Sequence, residues 1–131
     1  MNEIIAKEEI APSTYRYDIY HPRIASKRKA GQFVIIRTHD GGERVPLTIV
    51  GSDVKAGTVT LIFRAVGHST KELAQLDVGD RLIDMAGPLG KATHIENYGK
   101  ACVMGGGYGT APVLPIADAL REAGKDRKSV V

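Results

Sequence analysis

Apolar and polar residues alternate along most of the chain with a period of two, in short runs broken by glycine, proline and aspartate. Residues 4–10 and 15–20 read as two half-buried antiparallel strands around the turn signal Ala11-Pro12-Ser13, with Tyr15, Tyr17 and Ile19 alternating against Arg16, Asp18 and Tyr20. A polar stretch over 22–31 precedes a strand at 32–37. Its centre, Phe33-Val34-Ile35-Ile36, suits burial on both faces, and His39-Asp40-Gly41-Gly42 then turns the chain. The hairpin partner, 44–50, puts Val45, Leu47 and Ile49 on one face and Arg44, Pro46 and Thr48 on the other.

After a polar turn at 51–57, residues 58–66 form a further strand with Val59, Leu61 and Phe63 opposite Thr60, Ile62 and Arg64. A short helix follows at 69–75. The turn Asp77-Val78-Gly79-Asp80 leads into a strand at 81–86, which Gly87-Pro88-Leu89-Gly90 closes. Six short strands with one intervening helix predict a mainly β fold, a closed six-stranded antiparallel Greek-key barrel without free sheet edges. A domain boundary is expected within 91–100. Beyond it the period changes: a buried strand at 101–104, a glycine loop at 105–109, and a helix at 111–123 with Val113, Ile116, Ala117 and Leu120 on one face and Gly124 as its stop. That is the first β-α unit of a nucleotide-binding α/β domain, which needs several more such units.

At 131 residues and 43% hydrophobic, the chain can bury one proper core. Its start mixes Glu3, Lys7, Glu8 and Glu9 with apolar residues, unlike a signal peptide, and no run approaches membrane-spanning length. The single cysteine, Cys102, fits a reducing cytoplasm and core packing, and cannot alone hold an iron–sulfur cluster. The net charge of +3 and a pI near 9.1 raise the question of nucleic acid. The basic residues cluster only modestly, at 23–29 and 125–128, with no recognition helix or interleaved aromatics, so a solvated basic face or a docking patch for an acidic redox protein is expected instead.

Three segments carry candidate chemistry. In Arg44-Val45-Pro46-Leu47-Thr48 a guanidinium able to grip phosphate bidentately shares a strand face with a hydroxyl about 13 Å away, at roughly 3.3 Å per residue. By itself this also describes an exposed Arg and Thr on the wet side of a strand. In Gly67-His68-Ser69-Thr70-Lys71-Glu72-Leu73, Ser69 and Glu72 have capping-box spacing, so a helix opens there with its free amides and positive dipole end presented to an anion. Most capping boxes bind nothing, and His68 has no second ligand at metal spacing, so no metal site is expected. In Met104-Gly105-Gly106-Gly107-Tyr108-Gly109-Thr110-Ala111-Pro112, glycines between strand and helix would let a dinucleotide approach the backbone, although Thr110 stands where the standard fingerprint has its third glycine.

The order of these segments, with Gly87-Pro88-Leu89-Gly90 between the second and third, resembles the ferredoxin-NADP reductase superfamily over essentially the whole chain. Gly31-Gln32-Phe33-Val34, Glu43-Arg44-Val45-Pro46-Leu47-Thr48-Ile49 and Gly87-Pro88-Leu89-Gly90-Lys91 are most similar to the FAD-containing small (alpha) subunit of NADH-dependent ferredoxin:NADP oxidoreductases. The electron-transfer subunit of dihydroorotate dehydrogenase is related. The resemblance implies an FAD-binding barrel at 1–95 and the incomplete start of an NAD(P)-binding domain at 96–131. It implies that Arg44 binds the FAD pyrophosphate, that Pro46 and Leu47 border the ribityl and ring, with Val45 also among the cofactor-binding residues, and that Thr48 lies at the reactive nitrogen of the flavin, as the residue closest to catalysis. Ile62, Phe63, Arg64 and Val66 would run beside the flavin. Gly67, Ser69 and Thr70 would open the diphosphate-binding helix, and Gly106, Gly107, Gly109 and Thr110 would meet the nicotinamide nucleotide.

The activity so implied is electron transfer between NAD(P)H and a ferredoxin or a larger flavin and iron–sulfur subunit, in a hetero-oligomer, with neither nucleic acid nor membrane as partner. Related subunits continue to a cysteine cluster holding a [2Fe–2S] centre, whereas this chain stops at Val131 with one cysteine. A truncated or half-length form is therefore expected, and a flavin-binding module inactive alone stands beside the complete enzyme as a reading. A barrel of the translation-factor type, favoured only by the pI, is the third.

Overall fold

A computed structural model describes residues 1–95, 102–104, 110–124 and 128–130. The first span carries six strands, β1 (Ile4–Ala11), β2 (Thr14–Tyr20), β3 (Phe33–Arg37), β4 (Val45–Asp53), β5 (Thr58–Arg64) and β6 (Asp84–Leu89), and two helices, α1 (Pro22–Lys27) and α2 (His68–Gln75). Their ladders are antiparallel, in the order β1-β2-β5-β4-β3-β6. β3, β4 and β5 are successive neighbours and β6 returns to lie beside β3, which makes a Greek key.

The period-two pattern explains the core. Ile4, Tyr17, Ile19, Val34, Ile36, Ile49, Val59, Leu61, Phe63 and Met85, drawn from all six strands, form one buried cluster with Ile24 of α1 and Leu73 of α2. Each large apolar side chain fully withdrawn from water contributes about 1.5–3 kcal/mol. α2 therefore packs on the barrel through Leu73, and its amino end is left at the surface.

Several expectations change. The barrel is open: β1 and β6 share no ladder, and the lead-in to β6 reaches β1 instead, by a bridge between Glu3 and Arg81 and by bonds from Ile4 N–H to Asp80 O (2.8 Å) and Leu82 N–H to Asn2 O (3.0 Å). The turn at Asp77–Asp80, closed by Asp80 N–H on Asp77 O, brings the chain to β1 before it straightens into a strand. β6 consequently starts at Asp84 and runs through Gly87-Pro88-Leu89, which does not end the strand; the edge position tolerates a proline. The polar stretch over 22–31 holds a second helix, α1, because Pro22 presets its first turn and the His21 ring accepts Ile24 N–H at 3.3 Å. β3 is buried on one face only: Val34 and Ile36 enter the core, while Phe33 and Ile35 are half-exposed on the other side. β4 continues to Asp53 past a register shift between Ile49 and Gly51, so 51–53 are strand and not turn.

Toward the carboxyl end, β7 (Cys102–Met104) and β8 (Lys128–Val130) pair in parallel, joined by α3 (Thr110–Gly124). The expected β-α unit thus gains a second strand, and α3 supplies the crossover that parallel strands require. α3 packs against β4. Its face differs from the expected one: Pro115 and Ala117 are buried, whereas Ile116 and Leu120 are intermediate. Among the described residues no helix is long and apolar enough to cross a membrane.

Candidate functional site

Strand registers locate a break in the sheet. β3 pairs Phe33 with Thr48, Val34 with Leu47, Ile35 with Pro46 and Ile36 with Val45, and Ile49 N–H donates to Gln32 O at 3.1 Å. Along an antiparallel strand, residues alternately send both backbone groups to one neighbour and then to the other. With Ile49 bonded toward β3, Leu47 and Val45 point the same way, and the backbone of Thr48 and Pro46 points toward β5. On β5, Ala65 N–H donates to Ser13 O at 2.7 Å, so in the β2–β5 register the backbones of Ile62 and Arg64 turn away from β2 and toward β4.

These two rims face one another, yet the β4–β5 ladder begins only at Ile49–Leu61. The sheet parts there into a seam, and among the described residues no ladder pair crosses it. The Ile49–Leu61 bridge itself joins Ile62 N–H to Thr48 O, so Thr48 offers its N–H to the seam, Ile62 its C=O, Arg64 its N–H, and Pro46 an acceptor alone. The Arg64 carbonyl is engaged by Val66 N–H at 3.0 Å. The β-bulge at Ile49–Gly51 marks the point where the strands rejoin. A planar ligand with alternating donors and acceptors on its edge can satisfy such rims where a strand does not.

The side chains follow the alternation. Val45 and Leu47 pack on the core, and Arg44, Pro46 and Thr48 face outward. Arg44 lies in the turn before β4, its side chain 62% exposed and its Nη1 4.0 Å from Asp84 Oδ2; Asp84 also pairs with Arg37. Beside this turn stands the amino end of α2. Gly67 is its N-cap, and Thr70 Oγ1 accepts the N–H groups of Gly67 (3.0 Å) and Val66 (3.1 Å). That turns the Thr70 hydroxyl inward and leaves the first helical amides free in intrahelical bonding, at the positive end of the dipole.

The expected capping pair, Ser69 with Glu72, is not the one formed, because the helix opens two residues earlier. Ser69 Oγ instead donates to Glu43, the neighbour of Arg44. Glu72 lies 2.9 Å from His39 Nε2 and 2.5 Å from His68 Nε2, and accepts from Thr38 Oγ1 at 3.3 Å. The Asp40 carbonyl and Glu72 hold His39 above its ordinary pKa. Residues 38–44 and α2 are thereby stitched together, bringing Arg44 alongside a helix amino terminus. From behind, Tyr17 OH donates to Leu73 O (2.6 Å) and reaches Leu76 O (3.0 Å), and Lys7 Nζ donates to Ala74 O (2.8 Å) and Leu76 O (2.9 Å). A cation at the carboxyl end of the helix complements its dipole and fixes the direction in which the amino end points.

Arg44 and Ser69 thus stand at the anion-seeking end, joined through Glu43, while Thr48, Ile62 and Arg64 stand on the outer face at the seam, which the chain links to that end along β4 and through Gly67; the Thr70 oxygen is taken up by the N-cap. Val45, Leu47 and Phe63 turn their side chains inward and their backbone groups to the β3 and β2 ladders; Phe63 stacks with Tyr15 (5.8 Å) and meets Tyr17 edge-on (5.1 Å). Val66 is 65% exposed beside the N-cap. Gly106, Gly107 and Gly109 lie outside the described residues, as does the side chain of Thr110, whose backbone opens α3. A separate open cavity of about 850 Å³ lies between Arg28 and Lys29, the bend of β4 at Gly51 and Ser52, and Pro115 and Asp118 of α3, past the bulge from Arg44.

Sequence reasoning assigned no role to Glu43, Asp84 and His39 and read Glu72 only as a helix cap; their contacts arise from elements distant in the chain. It also missed the seam, although Pro46, the second residue of β4, cannot donate to a ladder there.

Residues 2–94 match the family described as "Oxidoreductase FAD-binding domain". The dihydroorotate dehydrogenase B (NAD(+)) electron transfer subunit homolog of Thermotoga maritima is 40% identical over 131 residues, covering 100% of this chain and 46% of that protein. The electron transfer subunit of Fusobacterium nucleatum dihydroorotate dehydrogenase B (NAD(+)) is 36% identical over 122 residues, with 88% and 47% covered. A solved chain from an NADH-dependent reduced ferredoxin-NADP oxidoreductase, studied for flavin-based electron bifurcation, superposes with a TM-score of 0.94 at 40% identity, covering 98% of this chain and 46% of that one. The chain spans less than half the length of these relatives.

Proposed function

Since this chain belongs to the oxidoreductase FAD-binding domain family, we propose that the surface from Arg44 to the seam holds FAD and that the protein passes electrons between NAD(P)H and a ferredoxin-type or iron–sulfur partner. The observation that carries this reading is the parting of β4 from β5 beyond the Ile49–Leu61 bridge, which leaves Thr48 N–H, Ile62 C=O and Pro46 C=O outside the ladder, on strands that lead to Arg44 and to the amino end of α2. Bound there, FAD would supply the redox chemistry, hydride acceptance and single-electron release.

The chain's own residues bind and orient. Arg44 and the first amides of α2 take the diphosphate, where a guanidinium fork and a helix dipole both favour negative charge. Thr48 N–H, Ile62 C=O and Arg64 N–H would be offered to the edge of the ring, and the Thr48 hydroxyl would serve its reactive region. Pro46 exposes an acceptor without a competing N–H. In this reading residues 1–95 form the flavin domain and 96–131 open an NAD(P)-binding domain that Gly106, Gly107, Gly109 and Thr110 help to build. A larger flavin or iron–sulfur subunit in a cytoplasmic hetero-oligomer is the partner, in line with the relatives named as electron transfer subunits. Any [2Fe–2S] centre would be held outside these 131 residues, which contain one cysteine.

Titration with FAD tests the binding: one equivalent taken up with a perturbed flavin spectrum is expected, and no uptake at micromolar protein overturns it. Anaerobic addition of NADH or NADPH should then bleach the bound flavin. A bound flavin that neither nucleotide reduces would leave a binding module inactive alone.

A further inference from the structure

The turn that carries Arg44 and the helix that opens beside it are separate elements, and one carboxylate joins them. Glu72 sits within α2, its side chain 27% exposed, and divides its oxygens. Oε2 accepts from Thr38 Oγ1 (3.3 Å) and meets His39 Nε2 (2.9 Å), both on the turn, while Oε1 meets His68 Nε2 (2.5 Å) on its own helix. An i,i+4 pair with His68 alone would serve only the helix. The bonds to Thr38 and His39 tie that helix to the segment ending in Arg44, and Ser69 with Glu43 makes a second stitch nearer the amino end.

We propose that Glu72 is a positioning residue for the diphosphate of the bound dinucleotide, acting through His39 and Thr38 to set the spacing between Arg44 and the amides that open α2. The inference rests on the flavin reading above. Two half-sites on different elements bind one anion well only when they are already in place, since any ordering left to the binding event is subtracted from affinity. A clasp between them therefore acts on affinity without touching the ligand.

The clasp has a sensitivity that a plain packing contact lacks. The charges facing His39 are Asp40 on its own turn and Glu72 on α2, with His68 across that carboxylate. Arg37 is directed to Asp40 and Asp84, Glu43 to Ser69, and Arg44 toward Asp84. Protonated, His39 makes a charge-assisted bond to Glu72; neutral, it keeps a weaker one. Its pKa is held above 6.5 by the Asp40 carbonyl first and Glu72 next, so the change falls above that pH.

The experiment measures FAD and riboflavin dissociation constants, by fluorescence quenching, for the unaltered protein, Glu72→Gln, Glu72→Ala and His39→Asn at about pH 6 and about pH 8.5. FAD binding by the unaltered protein should weaken about threefold between the two pH values, as expected for an exposed pair. Glu72→Gln and His39→Asn should lose that pH dependence, Glu72→Ala should bind FAD about tenfold more weakly at pH 6, and riboflavin, which has no diphosphate, should respond to none of them. Glu72→Gln and His39→Asn retaining the full pH profile for FAD, or riboflavin weakening as much as FAD, would overturn the assignment. NMR titration of the His39 ring in ligand-free protein separates the clasp from the flavin reading. A midpoint above 6.5 that falls in Glu72→Gln is expected, and an unmoved midpoint refutes the clasp whether or not FAD binds. No binding of either flavin by the unaltered protein would instead overturn the functional reading, and this inference with it.

Discussion

Replacing Tyr17 with phenylalanine removes one hydroxyl from the join between barrel and α2 and little else. The ring, fully buried, keeps its edge-on contact with Phe63 at 5.1 Å and its place in the core. What is lost is the bond to Leu73 O at 2.6 Å and the contact to Leu76 O at 3.0 Å. Both acceptors retain something: Leu73 O still receives Leu76 N–H at 3.2 Å, and Leu76 O still receives Lys7 Nζ at 2.9 Å. The full penalty of an orphaned carbonyl is therefore avoided, and the cost is that of one buried neutral hydrogen bond with partial desolvation, about 1–2 kcal/mol. For a chain of this length each kcal/mol lowers Tm by about 4 °C, so a fall of about 4–8 °C is expected. Circular dichroism melts and urea titrations would measure it, with an unchanged m-value marking a true stability effect. Burial holds the Tyr17 phenol far above its ordinary pKa, so the difference should persist at every pH in which the protein folds. A Tyr17→Phe melt within about 1 °C of the parent's would refute the claim that this hydroxyl anchors α2.

Gly31 has φ +92°, and an added Cβ would lie 2.2 Å from Thr93 Oγ1 and 3.0 Å from Thr93 N, whereas Gly79, at φ +96°, has nothing within 4 Å. Gly79→Ala should cost about 1 kcal/mol for its backbone alone and Gly31→Ala about 1–2 kcal/mol more, measured by urea unfolding; equal losses would contradict the Thr93 contact. His39 and His21 should give stability opposite pH dependences. The folded-state pKa of His39 is raised, so its contribution is complete below about 6.5 and fades as pH climbs through the raised value. Burial lowers that of His21, whose ring must stay neutral to accept Ile24 N–H, so a penalty grows as pH falls from 6.5 toward the depressed value. His39→Asn should flatten the Tm profile on the alkaline side and His21→Asn, which can still cap α1, on the acid side; a swap of the two effects would refute the signs.

Strand alternation was enough to orient β2, β4 and β5, because a half-buried strand sorts its residues by face: Arg44, Pro46 and Thr48 emerge outward as the period requires. It failed at β3, where four consecutive apolar residues carry no alternation and the outer face keeps Phe33 and Ile35 half-covered. α1 escaped because a polar helix of one and a half turns has too little periodicity, and only His21-Pro22 announces it. The start of α2 was misplaced because Ser69 and Glu72 satisfy the spacing of a cap while Gly67 and Thr70 form one; the first pair is engaged across the fold by Glu43 and His39, which local sequence does not reveal. The seam has the same origin. Which rim stays unpaired is set by where β4 and β5 rejoin, at Ile49–Leu61, a long-range register that turn signals do not fix.

The central assignment, a dinucleotide diphosphate held by Arg44 and α2, is tested most directly by the FAD dissociation constants of Arg44→Ala and Lys71→Ala. Loss of a charge-assisted contact at a partly exposed arginine should weaken binding about tenfold or more, while Lys71, exposed on α2, should change it less than about twofold. Equal constants for the two variants would contradict the account.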